Sequence, residues 1–337
     1  MPPIGQIHID NALTNLSIMY KNSMYMADSV MPIIPVAKRS DKYFVYKRED
    51  FLSASSTDTQ GKPTSLRRPG TEAAEIDYTQ TTGQYYAEEY ALRAVVTDAE
   101  YSIADSPLQP DIDQTLQLTE RLMIDNEVSV FAYAMNRSNF ATANKVALTT
   151  STTSWAAYAS TASQPFADIK NGKLAVIKGI AMDANMIAFS IGTAKTLADH
   201  PLVNDLVKYV HEDALTNEGL PKVIRGLQVQ ECKAIKNTAS EGAAYSGNYI
   251  AIADDGTDAA LIYYSNPSPT LRTVSFGYTF EAPDDTTGVR GISTRKWREE
   301  KRKGSMIECA FLRDWKPIGV DSAGKSVAGY LITSCTA

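Results

Sequence analysis

Three cysteines, three histidines and three tryptophans in 337 residues leave little material for the commonest site chemistries. Cys232, Cys309 and Cys335 are odd in number and widely spaced, with no C-x-x-C pair. That excludes a disulfide framework and a thiolate zinc pattern, and they read as small buried side chains in a reducing compartment. His8, His200 and His211 are scattered, none lies in an H-E-x-x-H string, and no G-x-S-x-G elbow occurs. We read them as structural, and expect neither catalysis nor a metal nor any cofactor. No run approaches the roughly 18 apolar residues of a bilayer span, so no membrane partner is expected. The opening MPPIGQIHID lacks the basic and apolar regions of a secretory signal. A basic excess is missing too. Against 39 acidic residues stand 33 Lys and Arg, a net charge of −6. A dedicated nucleic-acid binder usually carries the opposite sign. A surface that merely faces DNA stays compatible with it. The chain therefore reads as a soluble protein made in a cytoplasm.

What is present begins with extended structure. MPIIPVAKRSD, with Pro32 and Pro35, is an apolar segment biased away from helix. It must lie against the protein's own core or a neighbouring subunit. Before it, Leu13, Leu16, Ile18 and Met19 could line a short helix. Tyr43 to Arg48 is rich in strand formers, and so are Tyr85-Tyr86 and Tyr90 to Val96. Between them runs a polar stretch from Ser53 to Gly70 that contains Arg67-Arg68. Two strands around a long polar tip describe a β-ribbon arm. Such an arm has too little apolar surface to stand alone, which points to oligomerisation.

A long helix is expected over 111–135. Pro110 precedes it, Asp111 and Gln114 resemble a capping box, and Ile124, Val128, Phe131 and Met135 recur on one face. At 1.5 Å per residue it would run about 37 Å. A second helix should start near Ser163, with Pro165 in its first turn. Further on, Met186–Ile191 reads as a buried strand, with short helices near Ala194–Asp199 and Leu202–Val210. Strand runs follow at Val223-Ile224, Leu227–Val229, Tyr249–Ile252 and Ala260–Tyr264. Ser305–Trp315 and Val327–Cys335 read as closing strands.

Two motifs need a decision. Gly319-Val320-Asp321-Ser322-Ala323-Gly324-Lys325-Ser326 fits the P-loop string G-x-x-x-x-G-K-[ST]. A working P-loop needs a following helix whose N-terminus faces the phosphates. The remaining residues read as a strand, so a tight turn over Asp321–Lys325, closing a terminal hairpin, is the expectation. A nucleotide hydrolase stands as the competing hypothesis. The stretch 292–303 carries six basic residues, Arg295, Lys296, Arg298, Lys301, Arg302 and Lys303, interrupted by Glu299 and Glu300. It reads as a subunit interface or exposed ladder in preference to a DNA contact.

The succession PIIPVAKRSDKYFVYKREDF, RRPGTEAAEIDY, EEYALRAVVTDAEY and SPLQPDIDQTLQLTERLMIDNE resembles the major capsid proteins of tailed bacteriophages. GTAKTLADHPLVNDLVKYV and TRKWREEKRKGSMIECAFLRDWKPIG are similar to later elements of the same coats. The resemblance implies an α+β chain of the Hong Kong 97-like phage capsid fold. Residues 1–40 would be the N-arm, 41–101 the extended loop or E-loop, and 102–140 the peripheral domain with its spine helix. Residues 141–285 would form the axial domain, and 286–337 the return strands and C-terminus. It implies self-assembly as hexamers and pentamers into an icosahedral shell around phage double-stranded DNA. The DNA would lie on the inner face without sequence specificity. A separate scaffolding protein is expected because no assembly-domain extension precedes the arm, and a portal and a decoration protein are further expected partners. The virion would be its location, after assembly in the bacterial host cytoplasm. Arg67, Arg68, Lys47, Arg48, Arg295 and Arg298 are the candidate intersubunit contacts. An encapsulin-like compartment with the same fold is the alternative.

Overall fold

The computed structural model describes residues 8–9, 13–14, 17, 24–47, 65–67, 69–73, 81–104, 109–209, 211–240, 242–269, 274–285 and 288–336. Two sheets organise them. The first is built around the fourteen-residue strand Gly304–Pro317. One edge of that strand pairs antiparallel with Glu88–Thr97, from Gly304↔Thr97 to Arg313↔Glu88. Its other edge is shared: Ser293–Glu299 takes the first half and Gly277–Ala282 the second. Ile33–Pro35 adds a parallel edge strand against Thr279–Glu281, so the apolar proline segment lies on the subunit's own core. Pro35 sits at the end of that edge strand, where its missing N–H costs no ladder bond.

The second sheet runs in the order Lys145–Ala147, Gly329–Thr333, Ala259–Tyr263, Met186–Ser190, Leu227–Cys232, Val223–Ile224. Its central strands are buried on both faces, and the Val, Ile and Leu runs of their sequence reflect that. Two of the sequence segments are divided between the sheets. The segment 141–285 supplies Gly277–Ala282 to the first, and 286–337 supplies Gly329–Thr333 to the second.

The spine helix spans Pro110–Ala134, so Pro110 is its first residue; Gln109 stands at the N-cap without a side-chain hydrogen bond, and the capping box expected of Asp111 and Gln114 does not form because Asp111 already lies inside the first turn. Leu118 and Leu122 pack on Val96, Ile307, Cys309 and Phe311 of the first sheet. Val130, Phe131, Ala134 and Met135 enter a core shared with Ala188, Leu261 and Tyr263 of the second. The helix therefore bridges both. Thr115 and Thr119, buried in its interior, return their hydroxyls to the carbonyls of Asp111 and Thr115. Pro165–Ile180 covers the second sheet, and Gly179 lets it come close. A Cβ there would stand 2.5 Å from the Val327 carbonyl oxygen.

Two short helices escape the sequence reading. Asp98–Ile103 starts with a complete capping box, Thr97 with Glu100, yet buries no residue. Ala27–Val30 has no side-chain cap of its own. Of the early helical pattern, Leu13 is buried, while Leu16, Ile18 and Met19 lie outside the described residues.

Candidate assembly surface

The root of the ribbon arm forms where Ser40–Phe44 pairs antiparallel with Thr82–Tyr86. Strand formers on both sides produce this pairing, and aromatic rings anchor it. Tyr43 and Tyr85 lie 5.2 and 4.6 Å from Phe280. Burial, reinforced by the charge of Asp314, pushes the Tyr43 phenol up to about 12. The ring of Tyr43 lies over Gly83, at a distance that leaves no room for a Cβ. At the point where the ribbon meets the first sheet, the Tyr86 N–H donates to Asp314 at 2.9 Å. Arg39 donates to the Ala87 carbonyl at 3.0 Å and pairs with Asp285 at 2.8 Å. The ribbon thus leaves the body from a clamped root.

Of the six candidate contact residues, Arg67, Arg295 and Arg298 have described side chains, and each engages a different partner within its own subunit. Lys47 is placed by its backbone, which pairs with Val320. Arg67 is exposed, and its Nε donates to the Thr71 carbonyl at 2.6 Å around a turn with Gly70 at φ +81°. Arg48 and Arg68 lie outside the described residues. Arg295 and Arg298 share the strand Ser293–Glu299, where the sequence suggests an interface or an exposed ladder. The structure engages both within their own subunit. Arg295, with only 17% of its side chain exposed, holds Asp284 at 2.6 Å. Lys296 reaches Asp111 at the start of the spine helix at 2.7 Å. Arg298 binds both oxygens of Asp98, the nearer N–O distance being 2.5 Å. The Arg298 hydrogen bond holds the Asp98 carboxyl below its ordinary range. One basic strand so ties together the turn at Asp284 just before it, the start of the spine helix and the start of the short helix Asp98–Ile103. The acids that receive it carry no local motif, which is why the sequence reading missed them.

The N-terminal segment docks on the spine helix through polar contacts. Ser17 and Thr119 share a hydrogen bond at 3.1 Å, and Tyr25 donates to Glu120. Glu127, fully buried, accepts the N–H groups of Met26 and Ala27 at 2.9 and 2.8 Å. It supplies the cap that Ala27–Val30 lacks locally.

The P-loop-like string folds as a closed turn. Asp321 Oδ1 accepts the N–H groups of Ala323 and Lys325, at 2.9 and 2.8 Å, and Gly324 takes φ +73°. Val320 and Ser326 form an antiparallel bridge, so the hairpin is far shorter than the sequence suggests. The chain then leaves for the second sheet. The Lys325 ammonium donates to the Ser138 carbonyl at 2.6 Å. Among the described residues no three potential ligand side chains gather as a metal site. No helix among them is long and apolar enough to cross a membrane.

No family model matches the chain. It is similar to the major capsid protein of Pseudomonas phage JBD67, at 27% identity over 83% of this chain and 85% of that protein. The major capsid protein of Burkholderia phage BcepMu is 25% identical over 80% of this chain and 82% of its own length. Among solved structures, a phage-related protein from Bordetella bronchiseptica superposes with a TM-score of 0.69 at 20% identity, covering 98% of both chains. The capsid of cyanophage P-SCSP1u gives 0.55 at 10% identity, over 90% of this chain and 86% of that one. An encapsulin complex from Synechococcus elongatus gives 0.54 at 11%, over 96% and 94%. The fold is the α+β Hong Kong 97-like coat fold that the sequence resemblance implies.

Proposed function

We propose that this chain is a phage major capsid protein, a structural subunit that assembles with copies of itself into an icosahedral shell of hexamers and pentamers around double-stranded DNA. The observation that carries this is the likeness to two phage major capsid proteins over at least four fifths of the chain, joined to a fold likeness to phage capsids over nine tenths of it. The clamped ribbon root fits the role. It ties the base of the loop to the first sheet through Tyr86, Arg39 and Asp314. Identical contacts repeated around a closed shell add up, so no single one needs to be strong.

In this reading 1–40 is the N-arm and 41–101 the E-loop, both contributing to the first sheet, and 102–140 with the strands Gly277–Ala282, Ser293–Glu299 and Gly304–Pro317 is the peripheral domain. The second sheet and its helices form the axial domain. The loop tip at Arg67 and Arg68 lies on an adjacent subunit, and Lys47 and Arg48 support the root of that contact. Arg298, paired but half-exposed, is better placed to reach a neighbour than Arg295, which its own carboxylates enclose. The subunit needs a separate scaffolding protein, meets a portal and a decoration protein, and assembles in the host cytoplasm before residing in the virion. It is not an enzyme.

Purified protein examined by electron microscopy across assembly conditions is the test. Closed hollow shells are expected; protein that stays monomeric throughout overturns the proposal. The encapsulin-like reading is kept because the fold likeness to the Synechococcus complex covers 96% of this chain. Particles isolated from the native source separate the two: double-stranded DNA inside supports the phage shell, and an enzyme cargo the compartment.

A further inference from the structure

The second sheet presents two apolar features at opposite ends of one strand. At the start of Leu227–Cys232 lies a groove of about 590 Å³. Phe166, Val203, Leu206, Pro221 and Val223 line it. Leu206 is 55% exposed and Val223 56%, too much clustered apolar surface for scattered exposure to explain. The turn at its rim is unusual. Arg225 and Gly226 both take positive φ, +53° and +82°, in the tight hairpin that joins Val223–Ile224 to Leu227–Cys232. Such turns favour Asn-Gly. Here an arginine is held in the left-handed region with its guanidinium 5.4 Å from the Phe166 ring. The Lys173 ammonium donates to the Arg225 carbonyl at 3.0 Å.

Beyond the other end of the strand, the two-stranded hairpin Ile235–Asn237 with Gly247–Tyr249 stands off the body. Asn237 and Thr238 hold it through polar contacts to Ala239 and Ser246, with little core beneath. Yet it displays Ile235, Tyr249 and, at 72% exposure, Tyr245. The Tyr245 ring lies across Gly247. A six-residue strand separates groove and hairpin by about 20 Å. Lys222 and Arg225 line the groove and make no ion pair among the described residues.

A ring of identical subunits needs two different patches on each, facing opposite ways. We propose that the hairpin Ile235–Tyr249 of one copy seats Tyr245 in the Phe166–Leu206–Val223 groove of the next, a head-to-tail contact between second-sheet domains. Tyrosine suits it, with an apolar ring to bury and a hydroxyl that stays wet at the rim. The inference rests on the shell reading and adds which surfaces meet within a ring.

Cysteine cross-linking tests it. The native cysteines are all buried, so Leu206→Cys and Tyr245→Cys introduce the accessible thiols. Assembled shells of the double variant should oxidise to a ladder of linked subunits. Shells mixed from the two single variants should give dimers, and each single variant alone none. Dimers from Leu206→Cys alone would mean a symmetric groove-to-groove contact and overturn the proposal, as would shells that never cross-link. Leu206→Asp supplies a second readout: unchanged thermal stability with at least a tenfold rise in the concentration needed for assembly. Unchanged assembly overturns the inference. Failure of the unmodified protein to form shells removes the reading beneath it, a distinct result.

Discussion

The carboxylate of Glu127, in the middle of the spine helix, accepts the backbone N–H of Ala27 at 2.8 Å across one hundred residues of chain. A buried acid so caps a helix that has no cap in its own sequence. Burial raises Glu127 from its ordinary 4.5 to about 7, with the charge of Asp28 adding, although the backbone donors of Met26 and Ala27 pull it down.

A pH dependence follows. The folded state binds a proton at Glu127 that the unfolded state has released between about 4.5 and 7. The stabilisation is therefore full below about 4.5 and lost as pH rises through about 7. The whole effect is on the order of 3 kcal/mol. Melting temperatures of the native protein and Glu127→Gln, compared from pH 4 to 8.5, should diverge as pH rises, with the native protein losing more. A constant difference would rule this out.

Arg313, buried beside Phe311, gives Nε and Nη2 to Glu281 at 2.9 and 2.8 Å. Arg313→Met alone strands the Glu281 carboxylate and should cost about 3–5 kcal/mol in chemical denaturation. Adding Glu281→Leu should recover most of that loss, because two apolar side chains replace the pair. Additive losses would contradict the pairing.

Gly179→Ala forces a methyl group to within 2.5 Å of the Val327 backbone oxygen. Backbone cannot rotate away as a side chain can, so the expected loss is about 1–3 kcal/mol by denaturant midpoint. A neutral outcome would show that helix Pro165–Ile180 moves freely on the sheet.

Lys325 is already bound to the Ser138 carbonyl. Calorimetric titration with ATP and magnesium should give no binding heat, and Lys325→Ala should behave identically. Binding that Lys325→Ala abolishes would revive the nucleotide reading of Gly319–Ser326.

Reversing Arg67 and Arg68 to glutamate should leave circular dichroism and melting unchanged while shells fail to form or dissociate at lower denaturant. Normal particles of normal stability would remove the loop tip from the contact.

The sequence by itself determined the local elements and the family resemblance. The spine helix was legible because proline opens it and apolar residues recur on one face toward its C-terminal end; the polar residues it also buries, Thr115, Thr119, Asn126 and Glu127, were not. Of the ribbon only the root was legible, where Ser40–Phe44 meets Thr82–Tyr86; the strand formers Tyr90–Val96 belong to the first sheet, and Tyr46–Lys47 pairs with Gly319–Val320. The turn at Asp321–Lys325 was legible because no helix could follow it. Asp98–Ile103 carried its signal in Thr97 and Glu100, but a helix that buries nothing leaves no periodicity to find. Tertiary structure alone decided the rest. Ala27–Val30 depends on a cap from Glu127, and the basic strand reads as an interface or exposed ladder until Asp98 and Asp111, about two hundred residues upstream, and the nearby Asp284 engage it. Groove and hairpin likewise share a strand, yet only the folded sheet sets them at opposite ends. Hydrogen bonds and burial between residues a hundred positions apart have no period, so one-dimensional patterns cannot carry them.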